Sequence, residues 1–275
     1  MSSEGNNGNI DFTIYRQYVH DISPPINNIS KLQDDKQIDF ILRFASEEYD
    51  VHGKGTGNLH PTWDLEEFNI EWVKKVKERI RNARVVISIG GVGSEFPFDP
   101  IEKDIWVYKV IESTKRIVHD LYDNLIDGID IHYDVIKSSK DEFSCSIGRV
   151  IEKLKYDTNL SINVVSIAPN ELVQSYYLDL FLEKLYFIDL VDYQFYNLKP
   201  QTLKQLVELY QKLVHEYNVA TVLPIVSSHK VPIITEFIQY LLQKKLLPGA
   251  VVWDDHNSTV GIIDSFSIEN VLQNL

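Results

Sequence analysis

The chain has 275 residues, a formal net charge of −13 and a single cysteine, Cys145. That length suits an α/β barrel folded as one unit, and one cysteine excludes an intramolecular disulfide. An acidic chain without a concentrated basic surface is not built to track a phosphate backbone, so nucleic acid is excluded as a partner.

The first nine residues are polar and lack a basic stretch followed by an apolar one, so no secretory signal is read there. No apolar run reaches the roughly 18 to 20 residues that a membrane-spanning helix needs. The expectation is a cytoplasmic monomer that engages no membrane, with a flexible start over residues 1–10 and one domain over 11–275.

Short β-branched or aromatic runs alternate with longer helical patterns throughout. Strands are expected at 11–19, 38–45, 84–90, 125–132, 159–167, 189–195, 219–226 and 249–254. Helical spacing of apolar residues predicts helices over 66–82, 104–122, 139–156, 171–186, 201–217, 231–246 and 265–274. The connection from His20 to Lys36 carries Pro24 and Pro25 and reads as loop. The segment from Glu47 to Trp63, with Gly53, Gly55, Gly57 and Pro61, reads as an extended loop. Eight strand–helix units predict a (β/α)8 TIM barrel, whose functional residues lie at the carboxyl ends of the strands.

Those ends carry Tyr15 and Arg16 in the first strand, Phe44 in the second, and Ser88, Gly90 and Gly91 in the third. The fourth ends in Asp127-Gly128-Ile129-Asp130-Ile131-His132-Tyr133-Asp134. Side chains alternate faces along a strand, so Asp130, His132 and Asp134 share one face. Three polar groups in file on a buried strand are costly unless they serve a site or are paired. Tyr193, Gln194, Tyr196 and Asn197 close the sixth strand, and Trp253 with Asp254 and Asp255 the eighth. The eight histidines show no His-x-x-x-His spacing and no cysteine partner, so neither a metal site nor a cofactor is expected.

Taken together, Ser88-Ile89-Gly90-Gly91, Asp127 through Asp134, Tyr193 through Asn197 and Trp253 resemble glycoside hydrolase family 18, the plant class III chitinases in particular. The stretches Gly53 through Gly57, Val85 through Gly91, Pro97 through Pro100, Asn124 through Tyr133 and Ile162 through Pro169 look narbonin-like, after a legume seed globulin with the chitinase fold. The resemblance implies substrate-assisted hydrolysis. In that scheme a Glu ending Asp-Gly-x-Asp-x-Asp-x-Glu protonates the glycosidic oxygen, and the Asp two residues earlier orients the substrate's N-acetyl group.

This sequence departs from the pattern at both decisive places. His132 stands where the orienting Asp belongs, and Asp134 stands where the acid Glu belongs. Shortening an acid by one methylene misplaces the carboxyl, and about 1 Å of misplacement costs roughly 100-fold. An imidazole also cannot supply a fixed negative charge. The expectation is therefore a catalytically inactive chitinase-fold protein, a storage or developmentally expressed one. The alternatives are a lectin-like binder of chitooligosaccharides or other N-acetylated glycans and a weak glycosidase using Asp134 as acid. Tyr15, Arg16, Phe44, Ser88, Gly90, Gly91, Tyr193, Gln194, Tyr196 and Trp253 are the candidate glycan contacts. Arg16 is further expected to reach into the bowl, pair with Asp134 or Asp130 and fill sugar-binding space.

Overall fold

The computed structural model describes residues 11–21, 23, 36–199, 202–227 and 232–253. The expectations for residues 1–10, for the connection around Pro24 and Pro25, for Asp254 and Asp255 and for a helix over 265–274 lie outside the described residues.

The strands are β1 (Ile14–Val19), β2 (Gln37–Tyr49), β3 (Gly55–Pro61), β4 (Ala83–Gly91), β5 (Gly128–Tyr133), β6 (Val164–Ile167), β7 (Leu190–Gln194), β8 (Thr221–Ser227) and β9 (Gly249–Trp253). All except β3 pair in parallel with their neighbours, and β9 pairs back to β1, which closes an eight-stranded barrel. Six α-helices are described: α1 (Ile70–Arg79), α2 (Lys103–Arg116), α3 (Lys140–Tyr156), α4 (Gln174–Glu183), α5 (Leu203–Glu216) and α6 (Pro232–Gln243). This is the (β/α)8 TIM barrel that the alternating pattern predicts.

Local chemistry sets the helix limits. The side chain of Asn69 accepts the backbone N–H of Trp72 and so starts α1, which buries Trp72, Val73 and Val76. A capping box of Thr202 and Gln205 starts α5, which buries Leu206, Tyr210 and Leu213 at helical spacing. Each such side chain taken out of water contributes about 1.5–3 kcal/mol.

The stretch expected as a loop after the second strand is largely a hairpin. β2 runs on to Tyr49 and β3 returns antiparallel to it, with Ser46 opposite His60 and Glu47 opposite Leu59. Asp50 holds the turn by accepting the backbone N–H groups of His52 and Lys54, both at 2.8 Å. The glycines that lowered strand propensity permit close packing. Gly57 sits at φ +79°, where a Cβ would lie 2.6 Å from the carbonyl oxygen of Trp106 on α2.

Strand alternation sorts the side chains into two layers. Tyr18, Ile41, Val86, Val164, Leu190, Leu223, Ile225, Val251 and Trp253 pack together in one cluster inside the barrel. A larger cluster between barrel and helices holds Phe40, Val85, Ile87, Ile129, Ile131, Val165 and Val191. Tyr15 and Tyr193 belong to that outer layer as well, which corrects the expectation that they line the bowl. The physical reason is parity: Arg16 and Tyr18 take the inward positions of β1, so Tyr15 turns outward.

Arg16 also departs from expectation. It lies fully buried inside the barrel, level with Asp39 on β2 and Arg84 on β4. Its Nε donates to Asp39 Oδ2 at 2.9 Å and its Nη1 contacts Asp192 Oδ2 on β7. Arg84 closes a fork on Asp39 with two bonds of 2.8 Å. Its ion pairs are thus with Asp39 and Asp192, below the strand ends, and not with Asp130 or Asp134. Two carboxylates at its own level hold the guanidinium there.

Candidate functional site

Asp130, His132 and Asp134 rise in file along β5 toward the barrel mouth, and the first two are fully buried. Asp130 is saturated by hydroxyls. Its Oδ2 accepts Ser88 at 2.7 Å and Tyr18 at 2.9 Å, and its Oδ1 accepts Ser166 at 2.7 Å. Ser88 therefore serves the carboxylate beneath the bowl. Gly90 and Gly91 permit close packing: Gly90 has φ +120°, and a Cβ on it would lie 2.2 Å from the carbonyl oxygen of His132, while a Cβ on Gly91 would lie 2.6 Å from the Phe96 side chain. Asp127, which opens the motif, lies at the start of β5. It accepts the Lys77 ammonium at 2.6 Å and the N–H of Val85 at 2.7 Å, so it ties α1 to the barrel away from the mouth.

The imidazole of His132 lies between the Tyr18 hydroxyl and the Asp134 carboxylate. Nδ1 is 3.2 Å from the Tyr18 hydroxyl, and Nε2 is 3.5 Å from Asp134 Oδ1. The amide nitrogen of Gln194 is also 3.2 Å from Nε2. That amide is oriented by Asn197, whose side chain donates to Gln194 Oε1 at 3.0 Å. Its two protons go to Asp134 Oδ1 at 2.9 Å and to the Ala168 carbonyl at 3.0 Å. Neither is left for the imidazole, which leaves Nε2 free to direct a proton toward Asp134.

Asp134 is a fixed acceptor. Oδ1 takes Gln194 and the Asn170 amide, the latter at 3.1 Å, and Oδ2 takes the backbone N–H of Gly93 at 3.0 Å. Asn170 cannot turn away, because its own oxygen accepts the N–H groups of Leu172 and Val173. Burial alone would push the Asp134 carboxyl up. The hydrogen bond and charge of His132, then Gln194 and Gly93, outweigh burial and bring it down to about 2.

Aromatic groups cover the bowl. Trp253 is only 3% exposed. Tyr196 lies parallel to it with ring centres 5.8 Å apart and planes 6° apart, while Tyr18 meets it edge-on at 4.9 Å. Phe44 meets the edge of His132 at 5.3 Å and a tilted Trp253 at 6.1 Å. The Arg43 guanidinium lies over the Trp253 ring, its carbon 4.2 Å from the ring centre. Beside it opens a cavity of about 340 Å³ lined by His20, Arg43, Phe44, Ser46, Thr62, Val92 and Phe96. The Arg43–Phe44 peptide is cis.

The structure thus brings together Phe44, Ser88, Asp130, His132, Asp134, Gln194, Tyr196 and Trp253, and leaves Tyr15, Arg16, Asp127 and Tyr193 elsewhere. Sequence reasoning missed Tyr18, Arg43, Ser166 and Asn170. Tyr18 was within reach, since it shares the parity of Arg16 on a strand already assigned. Among the described residues, no three His, Cys, Asp or Glu side chains gather in a way that would hold a metal ion. No helix among them is long and apolar enough to cross a membrane.

Comparison with known proteins places this geometry. Residues 31–232 match the model of glycosyl hydrolases family 18. Chitinase 1 of Tulipa saxatilis subsp. bakeri is 30% identical over 223 residues, which are 76% of this chain and 68% of that protein. The RuBisCO-associated protein of Glycine max is 24% identical over 188 residues, 66% of this chain and 62% of its own length. The family 18 chitinase structure from Crocus vernus superposes with a TM-score of 0.77 at 25% identity, covering 95% of this chain and 98% of that one. With its barrel, its β5 motif and a family match over most of its length, the chain belongs to glycoside hydrolase family 18 and is chitinase-like.

Proposed function

We propose that this protein is a non-hydrolytic, narbonin-like member of the family, acting as a storage or developmentally expressed protein. The observation that carries the reading is Asp134. An acid that protonates a leaving oxygen must hold a proton at working pH, with its O–H free to point at the substrate. Asp134 is held at about 2 and is met by three donors, so at neutral pH it is an ionised acceptor with no proton to give. His132 adds the second defect. The position next to a reacting acetamido group carries an imidazole bonded to Tyr18 and Asp134, where a positively charged intermediate would need a carboxylate.

Turnover of a fluorogenic chitobioside is the test. The protein and its Asp134→Asn variant are expected to release fluorophore at the same background rate. A wild-type rate ten times that of the variant would end the proposal and restore Asp134 as an acid.

A further inference from the structure

We propose that Arg43 is a built-in occupant of the bowl, a specificity-determining residue that keeps a pyranose off the face of Trp253. The inference rests on the non-hydrolytic reading and goes beyond it, because it concerns what the bowl admits and not what it cleaves.

The argument begins with the platform. Trp253 projects inward at the end of β9, with Tyr196 parallel to it and Gln194, Asp134 and His132 at its side. A flat aromatic surface beside polar groups suits a sugar, whose C–H face stacks while its hydroxyls or acetamido group take hydrogen bonds. Yet the ring is almost fully buried. What lies over it at 4.2 Å is the planar guanidinium of Arg43, a group of the size and flatness to use the same surface. A desolvated cation–π contact is stronger than one exposed to water. A weakly held sugar must displace it before gaining any contact of its own.

The position of Arg43 in β2 explains how one residue can do this. It follows Ile41 at inward parity, and its neighbour Phe44 contacts both Trp253 and His132. Arg43 and Phe44 also line the cavity of about 340 Å³ beside the bowl. The Arg43 side chain therefore forms the partition between that cavity and the Trp253 face. Shortening it joins the two into one open cleft. His20, whose Nδ1 lies 2.8 Å from the Arg43 carbonyl oxygen, holds the backbone, so the backbone stays in place when the side chain is cut back.

The experiment is calorimetric titration of the full chain with chitotetraose, on the wild type, Arg43→Ala and the double variant Arg43→Ala with Trp253→Ala. The wild type is expected to give no saturable heat up to millimolar sugar. Arg43→Ala is expected to bind with affinity at least tenfold above that limit and to show quenched tryptophan fluorescence, and the double variant to lose the gain. Should Arg43→Ala fail to fold, judged by its melting curve, Arg43→Gln carries the same test with the stem retained. A folded single variant that binds no better than wild type overturns the proposal, and so does a wild type that already binds as tightly. Chitobioside turnover in the same samples separates the two readings. Binding with turnover would sink the non-hydrolytic reading while leaving Arg43 as the occupant. Silence without binding would sink the Arg43 assignment alone.

Discussion

Replacing Arg16 by methionine is expected to lower the unfolding free energy by about 3–5 kcal/mol, the range for breaking a buried ion pair by removing one partner. Against a total stability of about 5–15 kcal/mol, that is a large share. The guanidinium has no exposure and bridges Asp39 and Asp192, with Asp130 as a third carboxylate close enough to act on it. Methionine fills much of the volume but leaves those acids unequally served. Asp39 keeps the fork from Arg84, whereas Asp192 loses the one cation that bonds to it among the described residues. Burial already pushes the Asp192 carboxyl up to about 8 against the pull of Arg16, with Asp130 and Asp39 pushing the same way. Without Arg16 its carboxyl is driven higher still.

The second arm of that experiment separates breaking a pair from replacing it. Arg16→Met combined with Asp192→Leu removes both charges, and buried ion pairs exchanged for apolar residues are often neutral in stability. The double variant should therefore recover most of the loss, giving a coupling energy above about 2 kcal/mol in a double-mutant cycle by urea unfolding. A single variant within 1 kcal/mol of wild type would show that the cation is not what keeps the three acids tolerable there.

The same residue shows what a sequence can and cannot disclose. Parity along a strand is local, so the common face of Asp130, His132 and Asp134 was readable, and so was the inward turn of Arg16. Its partners were not, because the level at which a residue of β1 meets one of β7 depends on the stagger of the whole barrel. Strand ends are read less well than strand centres. Tyr15 lies at the start of β1, away from the mouth, and Tyr193 lies beside Gln194 nearer to it, yet both turn outward into the helix layer. The hairpin of β2 and β3 was hidden for another reason. Gly55 and Gly57 lower strand propensity, and only the approach of Glu47 and Trp106 shows why they are needed there. Arg43 was missed because a lone arginine in an apolar strand carries no local sign of which ring it will cover.

The hairpin also holds the second large effect: Glu47→Gln is expected to stabilise the protein above neutral pH and to flatten its stability profile. Glu47 is 2% exposed and bonds β2 to β3 and α2, its Oε1 accepting the Gly57 N–H at 2.7 Å and the Trp106 indole N–H at 2.5 Å. Its Oε2 is buried without a hydrogen-bond partner. Burial pushes the carboxyl from 4.5 up to about 7, against the pull of the bonds from Gly57 and Trp106. Asp99 adds a smaller push, and the Tyr133 hydroxyl a smaller pull, without meeting Oε2 in a hydrogen bond. A carboxyl with a raised folded-state pKa binds its proton more tightly in the folded protein. Its share of stability is therefore complete below pH 4.5 and is lost as pH rises through about 7. The loss amounts to about 3 kcal/mol by pH 8. Glutamine keeps the Oε1 acceptor and never ionises, so it should match wild type near pH 4.5 and exceed it by that amount at pH 8. At roughly 2–4 °C per kcal/mol, the melting temperatures should separate by about 6 to 12 °C between those pH values. Parallel pH profiles for the two proteins would mean that Glu47 binds its proton equally in the folded and unfolded protein, with the bonds from Trp106 and Gly57 offsetting burial.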